Sequence, residues 1–162
     1  MRYRAIFLVV LLIAVILCSC GTKESKDQIL FYYCSAKPDY SSGAELIKSE
    51  THTAYVDPTN YEAILAQYLQ GPRDSDLTSP FPGGCEIVDI TLDQATARIT
   101  MNKSFATLTG VELTLACACL SLTTRAITGY ATVEISAVDA LLDNKEVITI
   151  DANNILLTDQ PA

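Results

Sequence analysis

The fold is decided by residues 109–129, which read TGVELTLACACLSLTTRAITG. Thr109 and Glu112 have the spacing of a capping box, and Gly129 is a residue of the type that ends many helices in the left-handed conformation. The stretch between them predicts one helix that extends to about Ile127. Because this helix is apolar nearly all round, it is predicted to lie at the centre of the core.

Runs of β-forming residues flank this helix on both sides. They are residues 87–92, 95–101, 132–137 and 145–150. The first two alternate apolar and polar positions around a turn at Asp93, which predicts a hairpin whose buried face includes Val88. The last two are joined by a turn at Asp143, a residue type that favours such connections.

The N-terminal half predicts two more strands and a second helix, over residues 29–35, 46–56 and 57–72. The complete order is β-β-α-β-β-α-β-β, in which two helices alternate with pairs of strands. The sequence therefore predicts an α+β domain of the open-faced sandwich type, with both helices packed on one face of a mixed sheet.

The helix predicted over residues 57–72 has sequence signals at both ends. Thr59 and Glu62 have the spacing of another capping box. Gly71 and Pro72 follow the last predicted turn, because glycine reaches left-handed conformations and proline cannot continue a helix. These four residues predict where the helix begins and ends.

The N-terminus has the pattern of a lipoprotein signal peptide. Two arginines precede an apolar run over residues 5–17, which is too short for a typical membrane span. Residues 17–20, Leu-Cys-Ser-Cys, then resemble a lipobox, which predicts cleavage between Ser19 and Cys20 and attachment of acyl chains such as palmitate at Cys20. Two acyl chains give firm anchoring. The alternative is an uncleaved N-terminal membrane anchor.

The predicted cleavage divides the chain into three parts. Residues 1–19 form the signal peptide, residues 20–28 a flexible polar tether, and residues 29–157 a single folded domain. Loss of the two N-terminal arginines would change the formal net charge from −8 to −10. Such an acidic surface excludes nucleic acid as an expected partner, and it leaves the lipid to hold the protein on the extracytoplasmic side of the cell membrane.

Four cysteines remain beyond the lipidation site, namely Cys34, Cys85, Cys117 and Cys119. An extracytoplasmic location permits disulfide bonds. Cys117 and Cys119 would point in different directions from one helix, so they are expected to be core residues rather than a pair. The sequence leaves the pairing open, with a bond between Cys34 and Cys85 as one option.

The sequence contains no constellation of residues typical of an enzyme. His52 is the single histidine, and a packed or surface role is favoured over a role as base or ligand. Motifs of serine hydrolases, phosphate-binding loops and zinc proteases are absent. Asp74 and Asp76 could contact calcium, but a solvated loop explains them better. The sequence therefore predicts a protein without catalytic activity, cofactor or metal.

Three segments resemble a known family. Residues 68–72, Tyr-Leu-Gln-Gly-Pro, and 77–84, Leu-Thr-Ser-Pro-Phe-Pro-Gly-Gly, are similar to the Leu-x-x-Gly-Pro and Leu-x-Ser-x-x-Pro-x-Gly segments of the GerMN domain, named for sporulation and spore germination. Residues 95–105 are similar to that family's Gly-Thr-Ala-x-Val-Asp-Leu-Ser-x-x-Phe, with Asn102 in place of the serine. The resemblance covers approximately residues 30–150.

The resemblance implies an extracytoplasmic lipoprotein of a Gram-positive, spore-forming bacterium, with a fold similar to the ring-building domains of secretion and sporulation complexes. It implies a non-catalytic assembly role in sporulation or germination, through contact with envelope proteins or through self-association. The candidate interaction loop comprises Gly71, Pro72, Ser79, Pro82 and Gly83. The alternative is a module that binds cell-wall glycan or peptide, which the eight tyrosines and the Pro/Gly loop of residues 79–84 suggest.

Overall fold

A computed structural model describes residues 28–38, 45–53, 57 and 59–155. The predicted signal peptide, its cleavage site at Ser19 and Cys20, and the predicted end of the domain at residue 157 lie outside the described residues. Within the described ranges the chain forms seven strands and two α-helices in the order β-β-α-β-β-β-α-β-β. The predicted α+β class is confirmed, and the order differs from the predicted one by one short strand.

The first sheet has three strands, with β1 (Gln28–Ser35) at its centre. β1 pairs antiparallel with β2 (Ile47–Thr53) on one side and with β3 (Leu77–Thr78) on the other. Phe31 and Tyr33 point to the same face of β1, since side chains alternate along a strand, and both are fully buried. β1 is the strand predicted over residues 29–35, and it buries this face, whereas Leu30 on the opposite face is 41% exposed.

The helix α1 (Tyr61–Tyr68) is shorter than predicted and has a different cap. Asn60 is the N-cap, and its Oδ1 accepts a hydrogen bond of 3.0 Å from the backbone N–H of Ala63. The Thr59 hydroxyl instead donates to an aspartate two residues earlier. The predicted capping box of Thr59 and Glu62 is therefore wrong, because the next residue along supplies the capping oxygen.

The second sheet has four strands in the order β4-β5-β6-β7. They are β4 (Ile87–Asp93), β5 (Thr96–Met101), β6 (Thr132–Ala137) and β7 (Val147–Asp151). β5 and β6 are parallel, and the other neighbours are antiparallel. A parallel pair needs a long crossover connection, which the central helix provides.

The hairpin of β4 and β5 forms as predicted, but the buried side chains differ. The pairing register shifts between Ile87 and Asp89, as in a β-bulge. Val88 is consequently 52% exposed, whereas Ile87 and Ile90 pack against the core. The predicted burial of Val88 is therefore wrong, because strict alternation does not hold across the bulge.

The long helix α2 (Gly110–Thr128) packs against β1 of the first sheet and against β6 and β7 of the second. A helix that is apolar nearly all round has to be covered on more than one side. The strands accordingly lie in two sheets, where the order of elements suggested one. The apolar residues of α2 belong to two core clusters, the larger with Leu113, Ala116, Cys117 and Leu120 and the smaller with Cys119 and Leu122.

Among the described residues, α2 is the one helix long and apolar enough to cross a membrane by length and composition. Its buried contacts with both sheets identify it as the core helix of the domain. Its central position is thus confirmed.

The two ends of α2 follow the sequence signals to different extents. Gly129 ends the helix with φ +78°, as predicted. Thr109 is the N-cap, but within the described residues its side chain makes no capping hydrogen bond. Asp143 Oδ2 instead accepts a hydrogen bond of 3.1 Å from the backbone N–H of Gly110. The predicted capping box of Thr109 and Glu112 is therefore wrong, because a carboxylate from the connection between β6 and β7 caps the helix instead.

Candidate functional site

The loop between β3 and β4 contains three of the predicted interaction residues, Ser79, Pro82 and Gly83. Local hydrogen bonds shape its backbone. The N–H of Phe81 donates to Ser79 Oγ at 3.2 Å, and the N–H of Cys85 donates to the carbonyl of Pro82 at 3.2 Å. The serine forms the kind of local turn that its hydroxyl favours.

Side chains from elsewhere in the domain anchor this loop. Asn102 Nδ2 donates to the carbonyl of Gly84 at 2.7 Å, and the backbone N–H of Asn102 donates to the carbonyl of Glu86 at 2.9 Å. The ring of Phe81 packs edge-on against Tyr68, with centroids 5.3 Å apart. The loop therefore presents a defined surface rather than a loose connection.

The loop forms one wall of a groove of about 300 Å³ on the protein surface. β1 and the N-terminal part of α2 contribute to the remaining walls. The groove is lined by Cys34, residues 78–82, Leu108, Glu112 and Leu115. Its lining is mostly apolar with one carboxylate, so it is suited to a small, partly apolar segment that carries a donor or a positive charge.

The structure brings only some of the predicted loop residues to this groove. Ser79 and Pro82 line it, whereas Gly71, Pro72 and Gly83 lie outside its lining. Gly71 has φ +94°, in the left-handed region predicted for it, and a Cβ placed there would lie 3.9 Å from the Cβ of Ser79. The two family-like segments are therefore neighbours in space.

Residues of the groove that the sequence did not indicate come from distant parts of the chain. Cys34 lies on β1, and Glu112 and Leu115 lie on α2. The sequence assigned Glu112 to a capping box. No local pattern could have identified these residues as neighbours, because their proximity depends on how α2 packs against β1.

His52 is buried and has a structural role. Its Nε2 lies 2.7 Å from Glu50 Oε2, and the Glu50 carboxylate accepts backbone N–H groups of Arg73 and Asp74. Burial would raise the pKa of Glu50, but the hydrogen bonds from His52 and Arg73 outweigh it and lower this pKa below its ordinary value. The pair joins β2 to the loop after α1, which agrees with the packed role favoured for His52.

Tyr33 on β1 and Tyr68 on α1 are core residues. The Tyr33 hydroxyl donates to the carbonyl of Tyr68 at 2.9 Å, and the Tyr68 hydroxyl donates to the carbonyl of Tyr32 at 2.7 Å. Burial raises the pKa of both Tyr33 and Tyr68 well above the ordinary value. Neither ring is available as a surface platform for a sugar.

The loop after α1 shows turn chemistry at its two aspartates. The backbone N–H of Asp76 donates to Asp74 Oδ1 at 2.9 Å, and both residues are exposed. In the part of the chain that the structure describes, no group of three or more His, Cys, Asp or Glu side chains is placed to hold a metal ion.

β4 and β7 lie at opposite edges of the second sheet and differ in regularity. β4 is interrupted by its bulge and packs beside α1. β7 pairs with β6 in one unbroken register. At the end of the sheet where β7 begins, Val147 is 45% exposed, and Val138 and Leu141 in the preceding connection are 37% and 55% exposed. We call these three residues the β7 edge surface.

Comparisons with known proteins agree with the geometry. The family model Germane, described as sporulation and spore germination, matches residues 31–143. No curated protein matches the sequence. The fold is similar to the first GerMN domain of the sporulation protein GerM from Bacillus subtilis, with a TM-score of 0.57 and 11% identity over 77% of this chain and 96% of that chain.

The structure of the tandem GerMN domains of the same Bacillus subtilis protein is also similar. Its TM-score is 0.55 at 14% identity, over 83% of this chain and 49% of that chain. The present chain thus spans about half the length of the tandem structure. At these identities the likeness to both structures shows the fold alone.

Proposed function

Because the chain belongs to the sporulation and spore germination family, we propose that it acts in sporulation or germination as a membrane-anchored contact domain without catalytic activity. The lipobox-like residues 17–20 support an anchor at Cys20 on the extracytoplasmic side of the membrane. The roles found for His52 and the buried tyrosines are structural, and this supports a role in contact rather than in catalysis.

The β7 edge surface is the observation that carries this proposal. The outer edge of a strand presents backbone N–H and C=O groups that another strand can pair with. Val138, Leu141 and Val147 place exposed apolar side chains at the same end of the sheet. The opposite edge at β4 carries a bulge, a feature that opposes regular strand pairing. The β7 edge is therefore the better docking edge.

We propose that the partner is a second domain of the same fold, either another copy of this chain or a related envelope protein. The Bacillus subtilis protein GerM carries GerMN domains in tandem, and this chain spans about half the length of that tandem structure. The formal net charge, −8 for the whole chain and −10 after the predicted cleavage, makes two copies repel one another at long range. Self-association should consequently strengthen as salt screens this repulsion.

A matched pair of edge variants tests the contact. Val147→Lys places a charge at the β7 edge, and Val88→Lys places one on a similarly exposed valine of the opposite edge. Sedimentation and chemical crosslinking of the mature, lipidated protein in detergent should show association weakened about tenfold or more by Val147→Lys. Val88→Lys should leave it unchanged. A strictly monomeric protein that crosslinks to no envelope partner would contradict the proposal.

The groove beside the Pro/Gly loop favours a second candidate function, the binding of a cell-wall peptide or glycan. An amine of a wall peptide would pair with Glu112, while the apolar lining would cover the rest of the segment. Co-sedimentation of the full-length protein with purified cell wall tests this. Binding that is lost in Glu112→Gln but kept in Glu86→Gln supports it, and an absence of co-sedimentation rejects it.

A further inference from the structure

Two cysteines from different elements meet beside the groove. Cys34 near the end of β1 and Cys119 in the middle of α2 have their sulfur atoms 3.9 Å apart. Both belong to the smaller core cluster, in which they pack with Ile47 and Leu122. The other two described cysteines, Cys85 and Cys117, instead pack in the larger cluster. The contact between their sulfur atoms therefore favours Cys34 and Cys119 as the pair that forms a bond.

We propose that Cys34 and Cys119 form an intramolecular disulfide bond that links β1 to α2. This inference rests on the extracytoplasmic location proposed above, where disulfides persist. The two sulfur atoms must approach one another by about 2 Å to reach the bonded distance. Rotation of the side chains can supply this movement, since each sulfur lies one bond beyond Cβ.

Exposure and pKa indicate which of the two thiols reacts first with an oxidant. Cys34 lines the groove, so an incoming oxidant can reach it, whereas Cys119 is fully buried. The hydrogen bond from Cys119 lowers the pKa of Cys34 below its ordinary value, against the opposing effect of burial. Burial raises the pKa of Cys85 to about 11 and that of Cys117 to about 12, so both stay protonated at neutral pH.

The oxidant is a disulfide, either that of a thiol–disulfide oxidase or, in the test tube, glutathione disulfide. The Cys34 thiolate attacks one sulfur of this disulfide, forms a mixed disulfide and releases the first thiol. Cys119 then attacks the Cys34 sulfur, and its proton passes to the departing sulfur, which leaves as the second thiol. Two protein thiols are oxidised to one disulfide, and the oxidant is reduced to two thiols by the same two electrons.

Thiol mapping on protein from the native membranes tests the bond. The full-length protein is denatured in N-ethylmaleimide, digested without reduction and analysed by mass spectrometry. We expect the Cys34 and Cys119 peptides to be joined and to be two hydrogens lighter than the separate peptides. Cys85 should carry the label. Cys117 should carry it too, and fragmentation of the joined peptide distinguishes Cys117 from Cys119, which lies two residues away. Labelling of both Cys34 and Cys119 would overturn the inference.

Protease accessibility of the protein on intact protoplasts tests the extracytoplasmic location independently of the disulfide bond. Accessible protein with labelled Cys34 and Cys119 contradicts the bond and leaves the location standing. Protein that is protected from the protease and fully labelled contradicts both. Accessible protein with the joined peptides supports both.

Cysteine variants of the full-length protein assign the pair. With glutathione disulfide, the melting temperature of the wild type should rise by roughly 10 °C over the reduced form, because the bond closes a long loop. Cys34→Ala and Cys119→Ala should each abolish this shift, and the controls Cys85→Ala and Cys117→Ala should retain it. A shift that persists in Cys34→Ala or Cys119→Ala, or that is lost in either control, would assign the bond to another pair and overturn the inference.

Discussion

The Tyr68 hydroxyl on α1 donates a hydrogen bond of 2.7 Å to the backbone carbonyl of Tyr32 on β1. The short strand β3 pairs with only two residues of β1, so α1 covers part of the β1 edge that β3 leaves unpaired. The N–H of Tyr32 donates in turn to Thr123 Oγ1 on α2, at 3.0 Å. Both helices thus satisfy the backbone of one buried strand by side-chain hydrogen bonds. This arrangement explains why a tyrosine and a threonine occupy buried positions on the two helices.

Removal of the Tyr68 hydroxyl should destabilise the domain. Tyr68→Phe keeps the ring but leaves the Tyr32 carbonyl without this donor, which should lower the free energy of unfolding by about 1–2 kcal/mol. Urea unfolding of the full-length protein measures the change. Tyr61→Phe, at the half-buried first residue of the same helix, is the control and should change it by less than about 0.5 kcal/mol. Equal effects of the two variants would reject the role assigned to the Tyr68 hydroxyl.

Substitution by alanine should have different effects on stability at two glycines that have equal space around them. A Cβ at either Gly129 or Gly83 would meet no other atom within 4 Å, but Gly129 has φ +78°. Gly129→Ala should therefore lower the free energy of unfolding by about 1 kcal/mol or more, through backbone strain alone. Gly83→Ala should be close to neutral. A neutral Gly129→Ala in thermal or urea unfolding would show that α2 does not need a left-handed residue at its end.

Local signals predicted much of the fold. The left-handed end of α2 at Gly129, the β4–β5 hairpin and the central position of α2 follow from residue type and periodicity. The caps were misassigned because the oxygen that satisfies a helix N-terminus can come from the next residue, as at Asn60, or from a distant loop, as at Asp143. The bulge that exposes Val88 breaks a periodicity that the sequence displays without interruption.

The candidate site was predictable only in part. Ser79 and Pro82 belong to the family-like segment of residues 77–84, and both line the groove. Cys34 and Glu112 complete the groove from distant positions, and the proximity of Cys34 to Cys119 depends on the packing of α2 on β1. Such contacts follow from tertiary packing and leave no local trace in the sequence.

The interaction of Glu50 with His52 should make stability depend on pH. The pKa of Glu50 is lowered in the folded state, so the folded protein binds fewer protons there than the unfolded chain. The stabilisation is therefore complete above the ordinary pKa of a glutamate, and it is lost as the pH falls from about 5 through the lowered value.

Glu50→Gln removes this titration and should reduce the fall in melting temperature between pH 7 and pH 4. Glu86→Gln, which changes an exposed carboxylate, is the control and should keep the wild-type fall. If the melting temperature of Glu50→Gln falls between pH 7 and pH 4 by as much as that of the wild type, the contribution to stability assigned to Glu50 is wrong.

The lipid anchor makes a separate prediction about the mature protein. Protein isolated from native membranes should have an intact mass equal to residues 20–162 plus acyl chains. Cys20→Ala should remain unprocessed and carry no lipid, because the thiol that receives the lipid is gone. An unmodified mass for the full-length chain would instead identify the N-terminus as a plain membrane segment.

Complementation in the host bacterium tests the proposed role most directly. A strain that lacks the gene receives the wild type, Val147→Lys or Val88→Lys at equal expression, and the yield of heat-resistant spores and their rate of germination are measured. We predict that deletion impairs one of the two, that the wild type and Val88→Lys restore it, and that Val147→Lys does not. Full restoration by Val147→Lys, or no effect of the deletion on either measure, would contradict the account.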